Sequence, residues 1–391
     1  MIGKVKLPNE KLAAIKMGGG IRDVMDLATK LEKQGKTIYH LEIGRPDFDS
    51  PKVAKDAVIK AVEDGFVHYA DMRGVEELRV ALSEKLKIEN HIDVSPENIL
   101  ATVGGAAALA TSVLTILNRG DEVIVPIPCY LAYPALCEMV GAKMVPVPCT
   151  FENGFQLDAQ DLEAAINDKT RMIILNSPCN PSGAAFRRDV MEKIAEIAIK
   201  HDLIVVSDEC YERFFYDGEH VSIASLPGMA ERTITIGSSS KTYSMTGWRV
   251  GYMAMPEWVT VHANRTHLYL NTSPTTFAQY GYTAALQHAE PEVVAMIAEY
   301  KERRDLVIDY LKRMPGLEVV VPEGAFYVFP RITKTGKTDV EFCSYILEEA
   351  GVAIVPGEAF ETPGFVRLAY CKSKDYLTAA MESMKAALEK L

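Results

Sequence analysis

Residues 238–252 read SSSKTYSMTGWRVGY and follow directly on the apolar run TITIG at residues 233–237. A short apolar run of this kind predicts a buried strand, so we expect Lys241 just past the end of that strand. The stretch contains no acidic residue that could pair with the lysine. Burial would therefore lower the pKa of Lys241 and leave an amine suited to Schiff-base chemistry. Arg249, in an apolar part of the same stretch, indicates a clamp for an anion; the alternative is an exposed lysine and a surface arginine on an ordinary loop.

The chain on either side of this stretch alternates short apolar runs with helical segments. We predict seven strands, over Ile99–Val103, Glu122–Ile127, Lys143–Val147, Met172–Leu175, Leu203–Ser207, Thr233–Gly237 and Gly251–Met255. Several of these runs are apolar throughout, which is expected for strands covered by helices on both faces. The pattern predicts an α/β fold, with a large doubly wound domain over residues 47–288 whose mostly parallel seven-stranded sheet lies between helices.

The two ends of the chain predict a second, smaller unit. A helical segment begins at Glu290 and ends near Met314, and further helices follow at about residues 339–350 and 374–390. The short strands predicted in this part are Leu317–Val321, Ala325–Phe329, Val352–Val355 and Phe365–Tyr370. Together with a helix over Ile21–Gln34, these elements predict a small α+β domain formed by residues 1–46 and 289–391.

Composition argues against several classes of protein. The 42 basic and 53 acidic residues give a net charge of -11, which disfavours binding to nucleic acid or to an anionic membrane. Seven cysteines occur without a C-x-x-C pair, so we expect reduced thiols in a cytoplasmic protein and no metal site. The uncharged segment Ile99–Leu117 is long enough for a membrane helix, but Gly104-Gly105 divides it into a β-rich and an Ala/Leu-rich half. We therefore expect a strand, a tight turn and a buried helix.

Polar residues follow several of the predicted strands. Asp208 ends the run LIVVSD, with Tyr211 three residues later, and Asn180 lies in the loop NSPCNPSG after the run MIIL. Gly104-Gly105 joins a strand to a helix, where free backbone N–H groups and the helix dipole favour an anion. Taken singly, each feature has a structural alternative: a capped turn, a proline turn, or close helix packing. Together with the lysine and the arginine, they form the set of groups that pyridoxal phosphate requires.

These motifs and their order resemble those of the class I/II aminotransferases, the pyridoxal-phosphate-dependent enzymes of the aspartate aminotransferase fold, also called fold type I. The matching segments are LEIGRPDFDSP at 41–51, NSPCNPSG at 176–183, SDECY at 207–211, SSSKTYSMTGWRVGY at 238–252 and FVRLAY at 365–370. The resemblance covers nearly the whole chain, and the spacing of 33 residues from Asp208 to Lys241 adds to its specificity. It implies the same fold, the same cofactor and an amino-transfer reaction.

The resemblance implies a role at the cofactor for each matched residue. Lys241 would bond covalently to the cofactor and then, as the catalytic base, move a proton between the substrate Cα and the cofactor. Asp208 would keep the ring nitrogen protonated, and Tyr211 and Asn180 would hydrogen-bond the ring oxygen. Tyr130 would stack on the ring face, where many relatives carry tryptophan. The phosphate would be bound by Arg249, Ser238, Ser240, the N–H groups of Gly105 and Ala106, and Tyr69 of the partner subunit.

The same resemblance implies a substrate site. Arg367, in FVRLAY, would bind the α-carboxylate of an amino acid through both arms of its guanidinium group. Gly44 and Asn180 would lie alongside. The alternative for Arg367 is a surface arginine on an edge strand, which the apolar and aromatic character of its neighbours disfavours.

The identity of the amino donor depends on two further positions. Relatives that favour dicarboxylic substrates hold the second carboxylate with a lysine just after the glycine pair or an arginine shortly before a Ser-Pro pair. This chain has Ala106 at the first position and, counted without gaps, Leu268 near the second. We therefore expect a donor that is not strictly aspartate, because an unpaired carboxylate is costly to bury. Arg265 or His267 could still supply a cation.

The expected function is a cytoplasmic, homodimeric aminotransferase that moves an amino group from an L-amino acid to a 2-oxo acid by a ping-pong mechanism. A pyridoxal-phosphate-dependent lyase of the same fold is the alternative, because the same cofactor chemistry serves several reactions. A transcription regulator with an aminotransferase-like body would need an N-terminal DNA-binding domain. Only about 46 residues precede the large domain in a chain of net charge -11, so we expect no nucleic-acid partner, and no membrane partner either.

Overall fold

A computed structural model describes residues 21–391, in which helices alternate with short strands. The strands are, in chain order, β1 (Tyr39–His40), β2 (Ile99–Thr102), β3 (Glu122–Ile127), β4 (Lys143–Pro148), β5 (Thr170–Asn176), β6 (Ile204–Asp208), β7 (Thr233–Ser238), β8 (Gly251–Ala254), β9 (Tyr327–Val328), β10 (Val352–Ala353), β11 (Val355–Pro356) and β12 (Val366–Ala369). The α-helices are Ile21–Lys33, Lys52–Glu63, Glu76–Glu89, Gly104–Ile116, Ala132–Val140, Ala159–Ala164, Arg188–Lys200, Ser239–Thr242, Glu257–Asn271, Thr276–His288, Glu290–Lys312, Asp339–Ala350 and Lys374–Leu388. Short 3₁₀ helices cover Pro96–Asn98, Ile223–Ser225, Thr333–Thr335 and Gly357–Phe360.

Seven of these strands form one sheet, in the order β2-β8-β7-β6-β5-β3-β4. Neighbouring strands are parallel except at β8, which is antiparallel to both β2 and β7. β2, β7 and β8 are buried along their whole length, as expected for strands with helices on both faces. The predicted fold class is therefore confirmed: the chain has an α/β fold built on a mainly parallel seven-stranded sheet.

The register of this sheet brings the ends of neighbouring strands side by side. Asn176, the last residue of β5, pairs with Asp208, the last residue of β6, and Asp208 in turn pairs with Ile236 near the end of β7. The carboxyl ends of the parallel strands therefore form one edge, which is where ligands bind in open α/β sheets. Lys241 lies at this edge, in the four-residue helix that follows β7.

The uncharged segment Ile99–Leu117 forms a strand and a buried helix, as predicted. β2 ends at Thr102, and the helix Gly104–Ile116 begins two residues later. Gly104 has a φ of +75°, a left-handed conformation that glycine adopts readily because it lacks a Cβ. Within residues 21–391, no helix is both long enough and apolar enough to cross a membrane.

The remaining strands form two small sheets that join distant parts of the chain. β1 pairs in parallel with β10, and β11, β12 and β9 form an antiparallel three-stranded sheet. Leu41 extends the connection, because its carbonyl oxygen accepts a hydrogen bond from the Ala369 N–H at 2.7 Å. This contact brings the segment that leads to Gly44 beside Arg367 on β12.

Two of the strand predictions in this part of the chain are wrong. Leu317–Val321 is not a strand: Glu318 makes only an isolated bridge with Arg331, and the two side chains form an ion pair. Val352–Val355 is not one strand but parts of two, β10 and β11, which pair with different neighbours. An apolar run indicates burial, whereas a strand also needs a neighbour for its backbone hydrogen bonds, and the run alone does not identify that neighbour.

An aromatic cluster supports the sheet edge on the side of the small sheets. Phe326 is fully buried; its ring stacks on Tyr300 at a centroid distance of 5.5 Å and meets Phe214 edge-on at 5.1 Å. Such pairs contribute about 0.5–1.5 kcal/mol each beyond their buried area. Tyr300 belongs to the helix Glu290–Lys312 and Phe214 follows β6, so the cluster connects the long helix to the edge where Lys241 lies.

Candidate active site

A cavity of about 470 Å³ opens at the carboxyl edge of the seven-stranded sheet. The structure brings twelve of the thirteen predicted site residues to its wall: Gly44, Gly105, Ala106, Tyr130, Asn180, Asp208, Tyr211, Ser238, Ser240, Lys241, Arg249 and Arg367. The exception is Tyr69, which is 87% exposed and lies outside this cavity. The cavity has the size expected of a site for a cofactor and a small substrate.

Lys241 enters this cavity from a single helical turn. Ser238 caps the turn, because its Oγ accepts a hydrogen bond from the Ser240 N–H at 3.1 Å. The Lys241 ammonium donates to the backbone oxygen of Gly44 at 2.8 Å and lies 5.6 Å from the centre of the Phe326 ring. Burial lowers the pKa of Lys241 below its ordinary value. Because the lysine forms no ion pair with an acidic side chain of residues 21–391, it is suited to act as a neutral amine.

Asp208 ends β6 on the floor of the cavity. Its Oδ2 accepts a hydrogen bond from the Tyr133 hydroxyl at 2.8 Å, and its Oδ1 accepts one from the Cys210 N–H at 3.2 Å. Asn176, its neighbour on β5, donates to the Asp208 backbone oxygen at 3.0 Å. Burial raises the pKa of Asp208, and the hydrogen bonds from Cys210 and Tyr133 oppose that rise. The carboxylate has no cationic partner within the described chain, so the protonated nitrogen of a ligand could supply its missing counter-charge.

Arg249 and the start of the helix Gly104–Ile116 form a cradle for an anion. Arg249 has a left-handed φ of +57°, and its Nη1 donates to the Thr246 backbone oxygen at 3.0 Å. A Cβ on Gly104 would lie 2.6 Å from the Arg249 Nη2, so a larger residue at this position would push the guanidinium out of its place. Ser238 and Ser240 complete the cradle, with their Oγ atoms 2.8 Å apart. The helix N-terminus, the guanidinium and the two hydroxyls are the donors that a phosphate group prefers.

Arg367 lies buried on the small-sheet side of the cavity. Its Nη1 donates to the Asn180 Oδ1 at 3.0 Å, and its Nη2 donates to the Glu42 backbone oxygen at 2.5 Å. The guanidinium is also placed against the rings of Tyr327 and Phe360, at 4.7 Å and 4.8 Å from their centres. Its Nε is buried and has no hydrogen-bond partner in residues 21–391. Neutral oxygens and aromatic faces hold the cation in place and leave its charge available to an anionic group of a ligand.

The other predicted residues make contacts among themselves. The hydroxyls of Tyr211 and Tyr327 are 2.9 Å apart. The Asn180 N–H donates to the Asn176 Oδ1 at 2.8 Å, which fixes the loop after β5 against the strand end. Tyr130 meets Tyr133 edge-on with ring centres 5.7 Å apart. The ring of Tyr130 is therefore held at the wall of the cavity that also contains Asp208.

The prediction from sequence missed two of the residues described above. Tyr133 bonds to Asp208, and Tyr327 lies between Tyr211 and Arg367. Tyr133 follows the predicted Tyr130 by three residues, a spacing that places two side chains near each other on a helical turn, and this was the available signal. Tyr327 lies in a different part of the chain from its contacts, and no local pattern indicates it.

The rest of the cavity wall mixes apolar side chains with neutral polar ones and with Glu42. Its apolar members include Ile21, Met25, Ile43, Leu109 and Leu131. Neither of the two side chains that could have supplied a further cation lines this cavity. Arg265 is exposed elsewhere on the helix Glu257–Asn271, and His267 is completely buried in its own chain. The burial of His267 does not favour a contact between this side chain and a substrate.

These groups fit pyridoxal phosphate. The cradle around Arg249 suits its phosphate, the uncompensated carboxylate of Asp208 suits its ring nitrogen, and the unpaired amine of Lys241 suits its aldehyde. The pKa changes of Lys241 and Asp208 have the same cause, burial without a partner of opposite charge, and each would be relieved by the cofactor.

Comparison with known proteins agrees with this geometry. A family model described as "Aminotransferase class I and II" matches residues 36–384. An aspartate aminotransferase of Pyrococcus abyssi and aromatic-amino-acid aminotransferase 2 of Thermococcus litoralis are each 42% identical to this chain, over 94% of the chain and 95% of each relative. A double mutant of Thermus thermophilus aspartate aminotransferase superposes with a TM-score of 0.95 at 37% identity, over 98% of this chain and 100% of that one. The chain belongs to the class I and II aminotransferase family.

Proposed function

We propose that Lys241 is the catalytic base of this pyridoxal-phosphate-dependent aminotransferase and that Arg367 binds the α-carboxylate of its substrates. One observation carries the proposal. A buried lysine without an acidic partner and a buried arginine whose charge no carboxylate of residues 21–391 neutralises face the same cavity. The buried charge of Arg367 is costly without a counter-ion, and the α-carboxylate of an amino acid would compensate it, while the lowered pKa of Lys241 favours a neutral amine that can take a proton.

The other residues of the cavity hold the cofactor. When bound, pyridoxal phosphate supplies a conjugated ring that takes up the electron pair released at the substrate Cα. Asp208 would keep the ring nitrogen protonated, while Tyr211 and Asn180 would donate hydrogen bonds to the ring oxygen and Tyr130 would cover one face. Arg249, Ser238, Ser240 and the N–H groups of Gly105 and Ala106 would bind the phosphate, and each charge-assisted hydrogen bond would contribute roughly 1.5–3 kcal/mol.

Transamination follows from the position of Lys241. The Lys241 amine, beside the backbone oxygen of Gly44, would take the proton from the substrate Cα and return it on the cofactor side. Arg367 would bind the α-carboxylate of the amino acid and, in the reverse reaction, that of the 2-oxo acid. The family match favours this reaction over the β-eliminating alternative.

The half-reactions test this proposal. Borohydride should fix the cofactor to Lys241, and peptide mapping should locate the label there. An L-amino acid alone should change the visible absorption of the bound cofactor, and a 2-oxo acid should restore it. Release of ammonia without this reversible change would support a lyase and contradict the proposal. Lys241→Arg, which keeps the charge but cannot deprotonate near neutral pH, is the matched control.

We also propose that the amino donor is not strictly aspartate. The cationic side chains that line the cavity within residues 21–391 are Lys241, Arg249 and Arg367, and each already has a proposed partner. The remaining wall combines apolar side chains with Glu42 and neutral polar groups, so a second carboxylate would be buried there without a cationic partner at a cost of several kcal/mol. An apolar side chain of the donor gains by burial instead. The two relatives named for aspartate and for aromatic amino acids show that both preferences occur among similar chains.

The test compares kcat/KM for aspartate with that for alanine, methionine and phenylalanine, using one acceptor. We expect the neutral donors to compete well; an aspartate advantage of about a hundredfold or more would refute this. Ala106→Lys should raise the ratio of aspartate to alanine because it adds a cation to the wall. Ala106→Leu, which adds bulk without charge, should not.

We propose further that the enzyme is a cytoplasmic homodimer in which Tyr69 binds the phosphate at the partner's site. Tyr69 is 87% exposed, and its neighbours Phe66 and Val67 are 44% and 53% exposed, so this loop presents apolar surface that a second copy would cover. All seven cysteines are unpaired, which is consistent with a reducing compartment. We propose the same division into a large domain (47–288) and a small domain (1–46 and 289–391), of which residues 1–20 lie outside the described part of the chain; the pairing of β1 with β10 supports the joining of the two chain ends.

Subunit complementation tests the shared site. Tyr69→Ala and Lys241→Ala homodimers should each be impaired. A refolded equimolar mixture should recover about a quarter of the wild-type activity, because half of the dimers are mixed and each has one intact site of two. No recovery, or sedimentation as a fully active monomer, would contradict the proposal. Cell fractionation tests the compartment, and limited proteolysis near residues 47 and 288 tests the domain boundaries.

A further inference from the structure

The hydroxyl of Tyr133 contacts the Asp208 carboxylate. Its oxygen lies 2.8 Å from the Asp208 Oδ2, and the tyrosine itself is only 1% exposed. The second carboxylate oxygen, Oδ1, accepts the Cys210 N–H at 3.2 Å. The Cys210 side chain also hydrogen-bonds this carboxylate, so Tyr133 supplies the hydroxyl donor to Oδ2 while Cys210 contacts the group through its N–H and its thiol.

The bond to Tyr133 is directional. Burial raises the pKa of the Tyr133 hydroxyl well above its ordinary value, and the neighbouring charge of Asp208 raises it further. The tyrosine therefore stays protonated over the working range of pH, and it can only donate to Asp208. A fixed donor favours the charged form of the carboxylate over the neutral form.

Tyr133 is also held firmly. It lies in the first turn of the helix Ala132–Val140, packs edge-on against Tyr130, and is surrounded by the core around β3 and β5. A side chain in such surroundings keeps one rotamer and therefore fixes the position of its hydrogen-bond partner. The contact spans 75 residues of sequence, so it is a property of the tertiary structure.

We infer that Tyr133 is a positioning residue that holds Asp208 ionised and oriented toward the ring nitrogen of pyridoxal phosphate, an inference that rests on the proposed role of Asp208. Removal of the hydroxyl would weaken the attraction between the carboxylate and the ring nitrogen. The ring would then carry less positive charge, and it would repel less strongly the proton on the nearby nitrogen that joins the cofactor to Lys241. That nitrogen would keep its proton to a higher pH.

The experiment uses Tyr133→Phe with two readouts besides turnover. The first is the dissociation constant of pyridoxal phosphate from the apoenzyme, which should rise about tenfold for the loss of one hydrogen bond to a charged group. The second is the pH midpoint of the visible absorption change of the bound cofactor, which should move upward. Tyr252→Phe is the matched control, since Tyr252 is equally buried and its hydroxyl has no hydrogen-bond partner in residues 21–391. The control should leave both readouts unchanged.

A comparison in an Asp208→Asn background separates positioning from a general structural effect. If Tyr133 acts through the charge of Asp208, Tyr133→Phe should change cofactor affinity less than about twofold in that background. An equal loss in both backgrounds, or behaviour identical to Tyr252→Phe, overturns the inference. Should Asp208→Asn itself leave both readouts unchanged, the proposed role of Asp208 fails and the inference falls with it.

If Tyr133→Phe does not fold, fluorotyrosine at position 133 replaces it. Because fluorotyrosine is a stronger hydrogen-bond donor, it should move the pH midpoint downward, and an unchanged midpoint overturns the inference.

Discussion

Replacement of Arg367 tests the substrate site most directly. The guanidinium is 4% exposed, and it is held by the Asn180 side chain and the Glu42 backbone oxygen rather than by a carboxylate. In Arg367→Met the apolar side chain keeps much of the contact with Tyr327 and Phe360 but loses the charge. A substrate carboxylate would then enter a buried site without a counter-charge.

The size of the effect follows from this burial. Removing one partner of a buried ion pair costs about 3–5 kcal/mol. At 1.4 kcal/mol for each factor of ten, kcat/KM for an amino acid should fall by about 10²- to 4 × 10³-fold. Arg367→Lys keeps a positive charge but not the planar pair of donors, so it should show a smaller loss, mainly in KM.

The assay compares an amino acid with the amine that lacks only its carboxylate, for example phenylalanine and 2-phenylethylamine, in single-turnover half-reactions. The wild type should prefer the amino acid strongly, and Arg367→Met should nearly abolish that preference while it leaves the slow reaction of the amine unchanged. Cofactor affinity should not change, because Arg367 lies on the substrate side of the cavity. If both compounds lose rate equally, Arg367 acts through the fold and our reasoning about the carboxylate is refuted.

Three further predictions concern single side chains. Lys241→Ala should lose borohydride-stable labelling and transaminate roughly a hundredfold or more slowly; a near wild-type rate would remove the catalytic assignment. At His40, burial lowers the pKa, but the contacts with Glu42 and Glu32 raise it more, so the net pKa is raised. The charged ring therefore stabilises the fold fully below about pH 6.5, and this stabilisation is lost as pH rises through the raised pKa. The free energy of unfolding of the wild type should therefore exceed that of His40→Gln by about 1 kcal/mol near pH 6, and the two should be equal near pH 9. A difference that does not depend on pH would contradict this. For His267, burial lowers the pKa, and neither ring nitrogen has a hydrogen-bond partner within residues 21–391. The free energy of unfolding should therefore fall as pH drops below about 6.5. The His267→Leu variant should lose that pH dependence and melt at a higher temperature. A lower melting temperature in His267→Leu would show that the ring has a partner we have not identified.

The sheet and the main site residues could be predicted because their signals are local. Buried strands of a parallel sheet are continuous apolar runs, and the residue that follows such a run lies at the ligand-binding edge whatever the order of the strands. Asp208 and Lys241 both follow runs of this kind, and the structure places both in one cavity. The resemblance to a known family added the assignments of Tyr130 and Arg367, which no local pattern provides.

The missed features depend on partners that are far away in the sequence. The break at Ile354 between β10 and β11 reflects a change of neighbour from β1 to β12, and Ile354 is as buried as the residues on either side. Tyr327 is identified by what it touches across the cavity, and its own neighbours in sequence give no sign of that role. Sequence patterns predict burial and strand ends well, but they do not predict which two side chains meet.

The pairing of β1 with β10 has a consequence for synthesis on the ribosome. Tyr39 pairs with Val352, so β1 leaves the exit tunnel 313 residues before its neighbour does. At about 5–20 residues per second, that wait lasts on the order of 15–60 s. The seven-stranded sheet is complete at Ala254 and can form during this time, whereas the segment that carries Gly44 must wait for the C-terminal strands. The nascent chain can therefore acquire a surface that binds the cofactor well before it can hold an amino acid, and in the interval β1 presents unpaired backbone groups that a chaperone could cover.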